Sequence, residues 1–156
     1  MYSTAMTHAA DPDVNALITE LDRYQAALYP EESNHLLDLS QLPSERLIVM
    51  LIRKGEEAVG CGAIVLGDEG QGEMKRVFIN PMHRGQRLGE TLLAELETAA
   101  LQSGCRVLQL ETGIHQHAAI CLYQRCGYEV CDAFAPYQPD PLSVFMVKPL
   151  AHPVVQ

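Results

Sequence analysis

Cations, glycines and a helix start coincide at one place in this chain, the run His83-Arg84-Gly85-Gln86-Arg87-Leu88-Gly89-Glu90. The amides of a helix's first turn lack intrahelical partners and carry partial positive charge, so a turn beginning there can wrap a phosphate or pyrophosphate. Gly85 and Gly89 let the backbone approach such a ligand, while Arg84, Arg87 and His83 bring cationic charge to it. Taken alone, the loop also reads as an ordinary strand-to-helix connection with solvated arginines. Other glycine patterns fit worse. A P-loop needs Gly-Lys-Ser/Thr entering a helix, and that tripeptide is absent. A dinucleotide fingerprint needs Gly-x-Gly-x-x-Gly just after a strand, whereas Gly60-Cys61-Gly62 lies inside a strand-like run with Val65 in the third glycine's place.

His115, His117 and Cys121 carry metal-ligand atoms but lack a fourth ligand at a zinc spacing; they read as loop side chains, and no metal is expected. The five cysteines, at 61, 105, 121, 126 and 131, form no Cys-x-x-Cys pair and read as free, mostly buried thiols of a reducing compartment. Eleven Lys and Arg against 20 Asp and Glu leave a formal charge of −9, which repels a polyanion and argues against nucleic acid as a partner. No apolar stretch approaches the ~20 residues of a bilayer span, so no membrane is expected either. Residues 1–10 contain no Lys or Arg and no apolar core of a secretory signal, and the expectation is a cytoplasmic protein.

The elements that must position the loop follow from periodicity. Leu17, Ile18, Leu21, Tyr24 and Leu28 mark one face of a helix over Asp13 to Tyr29, started by Asp11-Pro12 and stopped by Pro30. Residues 31–39 form a short helix or a loop. Arg46 to Ile52 and Ala58 to Leu66 make a hairpin about Lys54-Gly55-Glu56-Glu57, with Gly60 and Gly62 hinting at a bulge or a close backbone approach. Glu73 to Ile79 is a strand ended by Asn80-Pro81. A helix then carries Leu88, Leu92, Leu93, Leu96, Ala99 and Ala100 on one face and stops at Ser103-Gly104. Arg106 to Glu111 is a strand, Ala119 to Cys126 a short helix ended by Gly127, and Tyr128 to Phe134 and Ser143 to Val147 are strands around a proline-rich turn. With neither repeat nor linker, these elements make one α/β domain.

Val77-Phe78-Ile79-Asn80-Pro81-Met82-His83-Arg84-Gly85-Gln86-Arg87-Leu88-Gly89, followed about thirty residues on by Ala119-Ile120-Cys121-Leu122-Tyr123-Gln124-Arg125-Cys126-Gly127-Tyr128, resembles the GNAT superfamily of N-acetyltransferases. Arg84 and Gly89 match the ends of that family's Gln/Arg-x-x-Gly-x-Gly/Ala motif. Arg87 stands where the middle glycine is usual, so this position is not expected to need a positive φ. The resemblance implies a single α/β (α+β) acyl-CoA N-acyltransferase domain over 1–156. Its central sheet is mixed, mostly antiparallel and flanked by helices, and residues 1–12 form a weakly ordered start or an edge strand.

The resemblance further implies acetyl-CoA as co-substrate. Its pyrophosphate would lie on the amides of Arg84, Gly85, Gln86, Arg87, Leu88, Gly89 and Glu90, its pantetheine along Val77, Phe78 and Ile79, and Gln116 replaces the usual Asn before the second helix. Tyr123 matches the tyrosine that protonates the departing thiolate, against the plain reading of a residue in an apolar stripe. Glu73 matches a frequent general base, against that of a solvated carboxylate, with Glu111 in reserve. The implied activity is acetyl transfer by direct attack of a primary amine of a small metabolite, amino acid or peptide. Acetylation of a protein N-terminus or lysine, and a non-catalytic acyl-CoA sensor, are the alternatives. The partners are that amine acceptor, bound by residues 29–37, Tyr137 or Asp140, and, as an option of assembly, a second copy of the chain in a homodimer.

Overall fold

Apolar runs buried on both faces, as within Leu47–Lys54 and Glu57–Leu66, and separated by glycine-bearing turns, lay half of the sheet down with antiparallel neighbours. Strand β1 (Tyr2–Thr7) pairs antiparallel with β2 (Leu47–Lys54). Gly55, at φ +61°, turns β2 back as β3 (Glu57–Leu66), and β4 (Gln71–Ile79) follows antiparallel to β3. The structure, a computed structural model, describes residues 1–28 and 39–150. The expected helix or loop at 31–39 therefore lies almost wholly outside the described residues.

Helix α1 (Pro12–Leu28) starts where Asp11 Oδ1 accepts the amide of Asp13 at 2.9 Å and Pro12 occupies the first turn, where its missing N–H costs nothing. Helix α2 (Leu88–Gln102) crosses from β4 to β5 (Val107–Gly113), which lies parallel to β4. Helix α3 (His117–Arg125) leads to β6 (Glu129–Cys131) and then to β7 (Ser143–Pro149). Both α2 and α3 end as their glycines suggest, with Gly104 at φ +89° and Gly127 at φ +96°. The order β1-β2-β3-β4-β5-β7-β6 makes a mixed sheet in which only β4–β5 is parallel.

One face of the sheet packs on α1 through Val14, Leu17, Leu21, Val49, Leu51 and Phe78. The other packs on α2 through Leu92, Leu93, Leu96, Ile64, Leu108 and Met146. Residues 2–7 are a paired edge strand, the second of the two forms expected of them. Three expectations need correction. Strand β6 stops at Cys131 rather than Phe134, because the chain leaves β7 after the Cys131–Phe145 pair. Tyr24 and Leu28 share the helical stripe of α1 but are exposed, because only its first part, through Val14, Leu17 and Leu21, is packed into the core. Of the five thiols only Cys61 and Cys105 are buried; Cys121 is exposed and Cys126 and Cys131 are intermediate.

Two irregularities in β4 position everything that follows. The β4–β5 ladder ends at the pair Met74–Leu110, after which the strands part. Against β3, the register jumps from Cys61–Phe78 to Ala63–Lys75, so that Gly62 opposes both Arg76 and Val77. This is a β-bulge, and Arg76 takes φ +57° within it. A Cβ on Gly62 would come within 2.9 Å of Leu96 Cδ1, so α2 closes tightly over the bulge. The Gly60 and Gly62 signal thus marks two irregularities: beside Gly60 the extra residue, Val59, lies in β3 itself against β2, and opposite Gly62 it lies in β4.

Candidate active site

Where β4 leaves β5, the edge of residues 75–79 no longer meets a neighbouring strand, and its N–H and C=O groups face a cleft. An extended, amide-bearing ligand can add to such an edge as an extra strand does. The cleft opens into a cavity of about 520 Å³ lined by Val77, Phe78 and Ile79 on one side and by α3 and the residues before it on the other.

At the mouth of this cavity, Pro81–His83 form a single 3-10 turn, held by Asn80, whose side chain accepts the Met82 amide at 2.9 Å. Arg84, Gly85, Arg87, Leu88, Gly89 and Glu90 then line the cavity; Gln86 does not. Gly85 sits at φ +84° with nothing near the position of a Cβ, so its backbone conformation alone calls for glycine. Arg87 precedes α2 at φ +59°, ψ +24° and makes no side-chain cap bond. This corrects the expectation drawn from the missing motif glycine: the position keeps its left-handed conformation with an arginine in it, because the chain must still reverse into the helix. With no side chain capping them, the first amides of α2 remain available to an anion.

Gly89 also serves the packing of the two helices. A Cβ there would lie 2.8 Å from Leu122 Cδ2, so the glycine lets α3 close against the first turn of α2. Arg125 on α3 then reaches Glu90, with Nε 3.4 Å from Oε1, and offsets the one carboxylate of that turn. His83 is tied on both sides, its Nδ1 3.1 Å from the Tyr2 hydroxyl and its Nε2 3.5 Å from Glu57. The edge strand β1 thereby braces the loop.

Tyr123 is the one buried residue of α3, lines the cavity, and its hydroxyl has no hydrogen-bond partner among the described residues. Burial, with a small addition from Cys126, pushes its proton affinity far above the ordinary phenol range, so it is a neutral O–H donor at working pH. Its ring packs edge-on against Tyr128 at 5.8 Å, whose hydroxyl donates to Glu97 at 2.9 Å; Lys148 holds the other oxygen of Glu97 at 2.8 Å. Gln116, also on the cavity wall, directly precedes α3.

Glu73 is not among the residues lining this cavity. It stands one rung before the parting of β4 and β5, opposite Gln109, and Met74 next to it faces α2, so Glu73 points toward the α1 face. Its Oε2 accepts from Tyr137 at 2.5 Å and from Lys75 at 3.0 Å. Glu111 lies on β5 on the same face and accepts the Ser143 hydroxyl at 2.5 Å. Of the proposed acceptor residues, 29–37 fall outside the described residues, Tyr137 joins Glu73, and Asp140 braces its own turn by accepting the Leu142 amide at 2.8 Å. Lys75, Arg76 and Arg125 escaped the sequence reading, for no periodicity marks a side chain drawn into a bulge or paired across helices. His115 and His117 line the cavity, and no group of three or more metal-ligating side chains occurs among the described residues.

The fold has known counterparts. A protein of Klebsiella pneumoniae subsp. pneumoniae assigned to the acyl-CoA N-acyltransferases has a solved structure 58% identical in sequence, matching over 97% of this chain and 99% of its own with a TM-score of 0.89. The IAA acetyltransferase of Azospirillum brasilense is 48% identical over 135 residues, 86% of this chain and 88% of its own. The PaiA N-acetyltransferase of Thermoplasma acidophilum, solved with coenzyme A, shares the fold with a TM-score of 0.72 at 16% identity, over 96% of this chain and 99% of its own. The pattern of the Acetyltransferase (GNAT) family matches residues 14–128, from α1 through the parted strands to Tyr128. The chain therefore belongs to the GNAT family, as an acetyl-CoA-dependent acetyltransferase of amines.

Proposed function

We propose that the protein acetylates a primary amine of a small metabolite, amino acid or peptide by direct attack, with Tyr123 as acid and Glu73 as base. The observation that carries this reading is the hydroxyl of the buried residue Tyr123, which has no partner among the described residues and stands on the wall of the cleft that opens where β4 leaves β5. The pyrophosphate of acetyl-CoA fits the amides of Arg84–Glu90, because Gly85 leaves open space there and no side chain caps α2. Its pantetheine fits the edge of Val77–Ile79. When bound, acetyl-CoA supplies an activated acyl carbon with a thiolate leaving group.

The chain's own residues then do three things. An amide of the β4 edge at or near Val77 donates to the carbonyl oxygen and stabilises the charge it gains. As the N–C bond forms and the C–S bond breaks, the amine's proton passes to Glu73, through one water where it does not reach directly. Tyr123 gives its proton to the sulfur, and solvent then carries the proton from Glu73 back to the Tyr123 phenolate.

Relatives are named for acceptors as different as IAA, an aminoalkylphosphonate and the alanine of ribosomal protein bS18, so kinship does not choose the acceptor. A cavity walled by α1 through Leu21 and Tyr24 as well as by α3 favours a small one. A thiol-release screen of acetyl-CoA against amines, amino acids and peptides tests this. Release with small amines is expected. Release only with folded proteins would replace the proposed acceptor, and coenzyme binding without release on any amine would make the site a sensor.

A further inference from the structure

On the α1 face of the sheet, three polar atoms close a triangle just before the strands part. The Tyr137 hydroxyl is 2.5 Å from Glu73 Oε2, Lys75 Nζ is 3.0 Å from the same oxygen, and Lys75 Nζ is 2.7 Å from the Tyr137 hydroxyl. Both donors converge on Oε2, and Oε1 accepts from no described residue. We propose that Lys75 and Tyr137 are positioning residues that clamp one oxygen of Glu73 and present the other to the proton leaving the acceptor amine. This rests on the base role given to Glu73 above.

The parts of the clamp come from distant segments and are themselves held. Tyr137 lies in the loop between β6 and β7, its ring edge-on to Phe134 at 5.4 Å and tilted against Phe145 at 5.7 Å, and Phe145 is buried on β7. Lys75 sits over the Tyr137 ring at 5.4 Å with its side chain only 8% exposed. A buried ammonium is costly unless paired, so its location ties it to Glu73. Burial, the bond to Glu73 and the charges of Glu73 and Glu111 all push the Tyr137 proton affinity above the phenol range, which keeps the hydroxyl a donor. A simple tie between loop and strand needs one hydrogen bond. Here two donors that also bond each other fix the rotation of the carboxylate, which is what a proton acceptor at a strand end requires.

The test is a set of steady-state rates with melting temperatures: Glu73→Gln, Tyr137→Phe, Lys75→Met, Lys75→Arg and the double variant Glu73→Gln/Tyr137→Phe. If Glu73 is the base, Glu73→Gln loses about 100-fold or more in kcat. If the clamp positions it, Tyr137→Phe and Lys75→Met each lose about 10- to 100-fold in kcat with the KM for acetyl-CoA unchanged. Lys75→Arg restores part of that loss, and the double variant is no slower than Glu73→Gln alone. A Glu73→Gln variant of native rate removes the base itself. A slow Glu73→Gln with native Tyr137→Phe and Lys75→Met, or with losses that add in the double variant, leaves the base in place and overturns the clamp. Should Tyr137→Phe fail to fold, the Lys75→Met and Lys75→Arg pair decides by the same criteria.

Discussion

The two sides of the parted strands are built from different material. On the coenzyme side the chemistry is that of the main chain: the open edge of Val77–Ile79, the reversal at Gly85 and Arg87, and the uncapped first turn of α2, all within one stretch of sequence. On the other side it is that of side chains from separated segments, with Tyr137 meeting Glu73 across 64 positions. Backbone chemistry is written locally, in turn residues and helix starts, and tolerates even an arginine in the left-handed position. A side-chain cluster exists only when register, bulge and loop all agree. The first should therefore yield slowly to single substitutions in its side chains, and the second abruptly.

The largest effect should come from the residue that stands between the two. Tyr123→Phe removes the proton donor and should lower kcat by about 100-fold or more, while acetyl-CoA affinity by calorimetry stays native; an unchanged rate would return Tyr123 to a packing role. Because burial raises its proton affinity, wild-type kcat should show no fall from loss of this proton up to the ordinary phenol value near pH 10. Next comes Gly89→Val. Its side chain would collide with Leu122, so denaturant unfolding should show a loss of about 1–3 kcal/mol together with weaker coenzyme binding.

Arg87→Gly sharpens the contrast most directly. It relieves a left-handed non-glycine residue but adds flexibility to the unfolded chain, so stability should move by less than about 1 kcal/mol. Loss of the cation should raise the Kd for acetyl-CoA about fivefold at low salt, a difference that shrinks at high ionic strength. A much larger loss would mean that the arginine side chain, and not the main chain, holds the ligand. The smallest effect is on reactivity: a thiol reagent should label Cys121 first. Cys61, buried and with its proton affinity pushed up to about 12 by that burial, should react only on unfolding. Mass spectrometry of partly labelled protein reads the order.

Much of this was legible in advance, and the boundary is instructive. The stops at Gly104 and Gly127, the hairpin about Gly55 and the leucine face of α2 follow from rules that act within a turn or two, and the structure repeats them. The stripe of α1 misled at Tyr24 and Leu28, because periodicity marks a face but not how much of it is covered. Gly60 and Gly62 announced an irregularity without saying which strand carried it. That question is settled by pairing on both sides, with Val59 of β3 extra against β2 and Arg76 and Val77 of β4 sharing Gly62.

The amino-acid order alone marked most of the elements, the turn between Arg84 and Glu90 that we propose for the pyrophosphate, and the family resemblance, since each depends on neighbours along the chain. Only the tertiary structure decided that Gly89 admits Leu122, that Gln86 does not line the cavity, and that Lys75 and Tyr137 meet on one oxygen of Glu73. Those are contacts between segments brought together by the sheet. Their geometry depends on a one-residue bulge and on where a ladder ends, and no local propensity encodes either.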